Sequence, residues 1–130
     1  MVLVDTTVWI DFFEDRSAPH VAALEKFIGD EEDLCLCGII LAEVLQGIRS
    51  EEEYAKTKEY LDDLVFLPMQ QATFIRAAEI YGSLRKRGVT IRKPVDCMIA
   101  SVAIEHDIPL LHNDRDFDYM GKYSALRVCA

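Results

Sequence analysis

Five short, largely apolar runs limit what this chain can fold into: Val2–Val4, Leu34–Cys37, Val65–Leu67, Leu110–His112 and Leu126–Cys129. They are continuous rather than alternating, so each predicts a strand covered on both faces, as in a parallel sheet. The stretches between them carry helical spacing instead. Val21, Leu24 and Ile28 share one face, and Tyr54, Leu61 and Leu64 share another. Phe74, Ala77, Ala78, Tyr81 and Leu84 give the clearest amphipathic stripe. Ser50 before Glu51, Glu52 and Glu53 predicts an N-cap with acids favouring the helix dipole. Pro94 predicts the first turn of a helix that runs to about His106. Strand and helix alternate to the end without a linker, repeat or low-complexity segment. The expected fold is α/β: one three-layer domain over residues 1–130, with a mostly parallel central sheet flanked by helices.

The 130 residues suffice for one domain with a real core, and apolar residues make up 51% of them. No apolar run approaches the roughly 20 residues of a membrane span, and no basic stretch precedes a long apolar core at the N-terminus. A cytoplasmic protein with no membrane partner is expected. Cys35, Cys37, Cys97 and Cys129 each sit among apolar neighbours, where cysteine behaves as a small hydrophobe. The C-L-C spacing does not suit a zinc site.

The formal charge is −9, with 23 acids against 14 bases, which argues against nonspecific nucleic-acid binding. Much of the excess lies in Asp30-Glu31-Glu32-Asp33 and Glu51-Glu52-Glu53, read as a solvated loop and a first helical turn. The segment RKRGVTIRK has the opposite sign, with Arg85, Lys86, Arg87, Arg92 and Lys93 and no acid. The net charge therefore says little about any one face.

Four acids stand where an apolar chain should not put them. Asp5 and Asp114 follow strands, at the carboxyl edge where ligands of such sheets gather. Glu43 lies in the apolar helix GIILAEVLQGI, and Asp96 in the first turn of KPVDCMIASVA. Singly, each has an ordinary reading. Asp5 and Asp114 can cap helices, Asp96 can complement a dipole, and Glu43 can face solvent. Together they would repel and raise one another's pKa unless a cation joined them. A hard divalent ion, Mg²⁺ or Mn²⁺, prefers such oxygen ligands and keeps several waters. Water activated in that way can attack a phosphodiester.

These residues carry a resemblance. The chain resembles the PIN-domain ribonucleases, and among them the VapC toxins of bacterial and archaeal toxin–antitoxin pairs. VDTTVWIDFF looks like the opening motif, with Asp5 as first acid and Thr6 beside it. LAEVLQGI resembles the second motif, with Glu43, and RKPVDCMIASVA the third, with Asp96. LLHNDRDFDYM resembles the last, with Asp114 as fourth acid and Asp116 as an accessory. The motifs occur in order and span the chain. One departure is His112, where relatives often carry Ser or Thr two residues before the fourth acid.

The resemblance implies a Mg²⁺- or Mn²⁺-dependent endoribonuclease that forms a homodimer and is silenced by a small VapB-type antitoxin. Asp5, Asp96 and Asp114 would hold the metal, while Glu43 either ligates it or orients the attacking water. Thr6 would hydrogen-bond a ligand water or a carboxylate. His112 either holds water or phosphate or packs at the strand end. Arg92 and Lys93 are candidates for RNA phosphate contacts, and Asp11 and Asp118 are read as solvated or locally bonded. Trp9, Phe12, Phe13 and the helix around Tyr54–Leu64 offer apolar surface to a second copy, with core packing as the other reading. Rival functions are a non-catalytic or DNA-directed use of the same fold. A phosphotransfer domain fits poorly, lacking both D-x-D at the first strand and a lysine near PLLHND.

Overall fold

In the computed structural model, which describes residues 1–129, the first three apolar runs become β1 (Val2–Val4), β2 (Leu34–Cys37) and β3 (Val65–Leu67). A two-residue strand, β4 (Leu110–Leu111), joins them. The order is β3-β2-β1-β4 and every pairing is parallel, with Val2 opposite Leu34, Leu3 opposite Leu110 and Cys35 opposite Val65. Seven helices flank the sheet: α1 (Thr6–Phe13), α2 (Pro19–Gly29), α3 (Gly38–Gln46), α4 (Glu51–Asp62), α5 (Gln71–Lys86), α6 (Pro94–Glu105) and α7 (Arg115–Tyr123). The result is the three-layer α/β arrangement that the alternation predicts. No helix among the described residues is long and apolar enough to cross a membrane.

The two central strands are buried throughout, which is why their sequences do not alternate. Leu3, Val4, Ile40, Ile99 and Leu110 meet in the core, and Cys35, Cys37 and Cys97 are buried with them. β3 has a neighbour on one side only, and its Val65 and Phe66 are exposed accordingly. Helix ends follow their sequence signals. Ser50 Oγ accepts the Glu53 amide at 3.3 Å, and Pro94 opens α6.

Four expectations change. Leu126–Cys129 forms no strand, because a single bridge ties Val128 to Leu110, flanked by bonds from Leu110 N to Arg127 O and Cys129 N to Leu110 O. The α4 face is Thr57 and Leu61, with Tyr54 exposed. On α5 the buried positions are Thr73, Ala77, Ile80 and Leu84, leaving Phe74 and Ala78 outside. A polar clasp to α6 sets that rotation: Ser101 Oγ donates to the Thr73 carbonyl at 2.7 Å, and Arg76 pairs with Glu105. Trp9, finally, is fully buried in an aromatic cluster, stacked on Phe13 at 5.8 Å and edge-on to Phe12 and Tyr60. It is core rather than a surface for a second copy.

Candidate active site at the carboxyl edge of the sheet

The edge is assembled by strands that stop and helices that start at once. Asp5 follows β1, and its amide still donates to Leu111 O at 2.9 Å, so its backbone belongs to the sheet. Its carbonyl then accepts from the Val8 and Trp9 amides and begins α1. Asp5 thus occupies the N-cap position, yet its side chain closes no capping hydrogen bond of good geometry. Thr6 Oγ1 donates to Glu43 Oε1 at 2.7 Å, tying α1 to α3 across the edge. Asp96 sits buried in the first turn of α6. Asp114 caps α7 by accepting the Asp116 amide at 2.9 Å, and Asp116 itself is buried.

These five carboxylates feel one another. Burial pushes the Asp5 carboxyl up to about 7, with Asp96 and Glu43 adding to the shift and the Thr6 and Thr7 amides opposing it. Asp96 rises to about 6, first through burial and then through Asp114, with Glu43 and Asp116 also contributing; Lys93 pulls the other way. Asp5, Glu43, Asp96, Asp114 and Asp116 thus lie within electrostatic reach of one another along this edge.

Compensation is uneven. Arg92 Nη2 donates to Asp114 Oδ1 at 2.9 Å, while its Nε and its backbone amide reach Asp116 Oδ2 at 3.3 and 3.2 Å. Among the described residues no Lys, Arg or His lies within 4.0 Å of Asp5, Glu43 or Asp96. Lys93 is exposed and outside that range. The basic segment therefore sends one arginine into the acids rather than holding all its charge free.

His112 is used on both sides of its ring. Nδ1 accepts the Asp114 amide at 3.0 Å, which places the proton on Nε2, and Nε2 faces Asp118 Oδ1 at 3.3 Å. The side chain is 7% exposed and packs on Phe117. Burial lowers its pKa despite Asp118 and Asp114. A ring so engaged shapes the turn that carries Asp114. Asp118, expected to be local, is its partner, and Asp11 is likewise local, meeting His20 at 2.6 Å.

Among the described residues no three His, Cys, Asp or Glu side chains close on one point tightly enough to cage an ion. The donor set still fits Mg²⁺ or Mn²⁺ in chemistry: it is all oxygen, strongly acidic, and short of cationic neighbours at Asp5, Glu43 and Asp96. Such ions need only one or two direct carboxylates and fill the remainder with water. The larger concavities lie elsewhere. One groove of about 530 Å³ runs between α1, α3 and α4 past Ile10, Phe13, Val44, Ile48, Arg49 and Thr57. Another, of about 550 Å³, follows α5 past Phe74, Ala78, Tyr81 and Met98. Neither is lined by the five acids, although the first begins one residue from Glu43.

The PIN domain model matches residues 2–123. The chain is 31% identical over 134 residues to the VapC ribonuclease Mb1587 of Mycobacterium bovis, spanning 100% of this chain and 98% of that one. It has the same identity and coverage with ribonuclease VapC11 of Mycobacterium tuberculosis. Solved structures share the fold: VapBC2 from Rickettsia felis bound to a promoter DNA fragment, with TM-score 0.78, 20% identity and coverage of 99% and 98%. FitAcB from Neisseria gonorrhoeae gives TM-score 0.76 at 22% identity, covering 100% and 97%. The chain belongs to the PIN-domain family and is a VapC-type member of it.

Proposed function

We propose that this chain is a divalent-cation-dependent endoribonuclease, the toxin of a toxin–antitoxin pair, acting in the cytoplasm as one domain over residues 1–130. The observation that supports this most is the gathering of Asp5, Glu43, Asp96, Asp114 and Asp116 at one sheet edge, with the first three lacking a paired cation. Its relatives named as ribonucleases support RNA as the substrate.

Asp5, Asp96 and Asp114 would hold Mg²⁺ or Mn²⁺. When bound, the ion supplies positive charge for a phosphodiester oxygen and makes water a better nucleophile at neutral pH. Glu43 is held through Oε1 by Thr6, while Oε2 makes no hydrogen bond among the described residues. That oxygen is available to orient water and take its proton, or to ligate. Lys93 stands exposed beside Asp96, in position to meet an RNA phosphate. His112 and Asp116 keep Asp114 in place.

A small VapB-type antitoxin would inhibit by lying in the groove beside Ile10, Phe13, Val44 and Ile48 and sending an Arg or Lys to the acids. The apolar contacts supply most of the affinity, since ion pairs gain little after desolvation. A homodimer would use surface other than Trp9, and exposed Phe74 and Ile75 leave such surface to cover.

The test is to incubate the purified, partner-free chain with total RNA in Mg²⁺ or Mn²⁺ and map new ends. Discrete RNA ends are expected. Intact RNA in both ions, or cleavage of DNA alone, would overturn the reading.

A further inference from the structure

Among the described residues Arg92 is the one cation that forms ion pairs with the acidic edge, and the way it is held separates its backbone from its side chain. The main-chain amide donates to Asp116 Oδ2 and follows buried Ile91, so Asp116 keeps a donor wherever the guanidinium goes. The guanidinium itself is 61% exposed and bridges Asp116 to Asp114. Asp114 Oδ1 already takes the Asp116 amide, so with Arg92 both of its lone pairs are occupied. A positive group 2.9 Å from that carboxylate opposes a second positive ion there, whichever oxygen the ion approaches.

We propose that Arg92 is a built-in competitor of the divalent cation: it neutralises Asp114 and Asp116 in the cation-free protein and must release Asp114 before a cation can use it. The inference rests on the proposed cation site and assigns Arg92 an affinity-setting role there. Its exposed side chain can swing into solvent without disturbing the core, and the fixed amide keeps Asp116 in place while it does. Asp5, Glu43 and Asp96 carry no such competitor, so cation binding begins on their side of the edge. The released guanidinium, planar and with several donors, is then free for a phosphate group.

The experiment measures Mn²⁺ affinity by titration calorimetry on the partner-free full chain, together with the melting temperature without cation. Wild type is compared with Arg92→Gln, Arg92→Lys and Arg87→Gln. Arg87 lies over the Tyr123 ring, outside the edge, and its replacement makes the same change in net charge as Arg92→Gln. Arg92→Gln should bind Mn²⁺ roughly three- to tenfold more tightly, the scale of one charge a few ångströms away in high dielectric, while melting lower without the ion. Arg92→Lys, which cannot span two carboxylates, should also bind more tightly than wild type, and by less. It carries the test if Arg92→Gln does not fold. Arg87→Gln should match wild type. A purely structural clip predicts lower melting with equal or weaker Mn²⁺ binding, and that result overturns the inference alone. No Mn²⁺ binding by wild type at millimolar concentration removes the cation site itself, and the inference with it.

Discussion

The acidic edge has two halves that solve one problem differently. Asp114 and Asp116 sit where α7 begins, and share Arg92, the α7 amides and the His112 ring as partners. Asp5, Glu43 and Asp96 come from three separate helices: the N-cap of α1, the second half of α3 and the first turn of α6. Among the described residues the one side-chain hydrogen bond to them is Thr6 Oγ1 to Glu43. Burial, only partly offset by the Thr6 and Thr7 amides at Asp5 and by Lys93 at Asp96, raises Asp5 to about 7 and Asp96 to about 6. Folded proteins do not keep such strained groups for stability, since each carboxylate could be replaced by an apolar residue at lower cost. On the proposed function, the compensated half is architecture that also serves the site, and the uncompensated half is the part that would receive something positive.

The largest effect should fall on catalysis in the uncompensated half. Asp96→Asn should reduce RNA cleavage to background without lowering the melting temperature of the cation-free protein. A large drop in melting would make Asp96 a structural cap of α6 and erase the contrast.

The next effect is on stability against pH. Asp5 binds its proton more tightly folded than unfolded, since its pKa rises from 3.8 to about 7. Its stabilising contribution is thus complete below about pH 4 and is lost as pH rises through 7. For Asp5 the full loss is on the order of 4 kcal/mol. Denaturant curves of the cation-free protein at pH 5 and pH 8 should show wild type losing more than Asp5→Asn over that interval. Equal losses would mean that Asp5 is compensated after all.

Opposite signs in the two halves sharpen the comparison further. Near pH 8 and without cation, Asp5→Asn should raise the melting temperature, whereas Asp116→Asn should lower it by roughly 3–5 °C through loss of the Arg92 contacts. The same sign for both would merge the halves into one.

The smallest effect separates the two sides of the His112 ring. Asn at this position can offer an acceptor where Nδ1 stood, and Gln a donor where Nε2 stood. Asp114 depends on the Nδ1 side, so His112→Asn should retain most activity and His112→Gln should lose several-fold more in kcat at similar melting temperature. The reverse order would move the ring's role to Asp118.

Much of this was visible in the chain because burial leaves a plain mark. Strands covered on both faces read as apolar runs, and an acid at the end of such a run cannot be there for packing. That logic located Asp5 and Asp114 before any geometry. It failed where partners decide. The 126–129 run is apolar enough for a strand but meets only Leu110. The α5 stripe is displaced because the Thr73–Ser101 clasp orients the helix, and polar clasps are invisible to hydrophobic periodicity. Arg92 read, with Lys93, as a base for RNA phosphate, since nothing local announces a partner 22 residues away. Trp9 read as either surface or core, because the neighbour that decides it, Tyr60, arrives from α4.

The central claim is that the five carboxylates form a cation-dependent ribonuclease site. The most direct measurement is cleavage of an RNA identified from the mapped ends, by partner-free protein stripped with EDTA and then titrated with Mg²⁺ or Mn²⁺. The account predicts no cleavage in chelator and saturable recovery with either ion. Undiminished cleavage in EDTA by the wild-type chain, lost in Asp96→Asn, would contradict it.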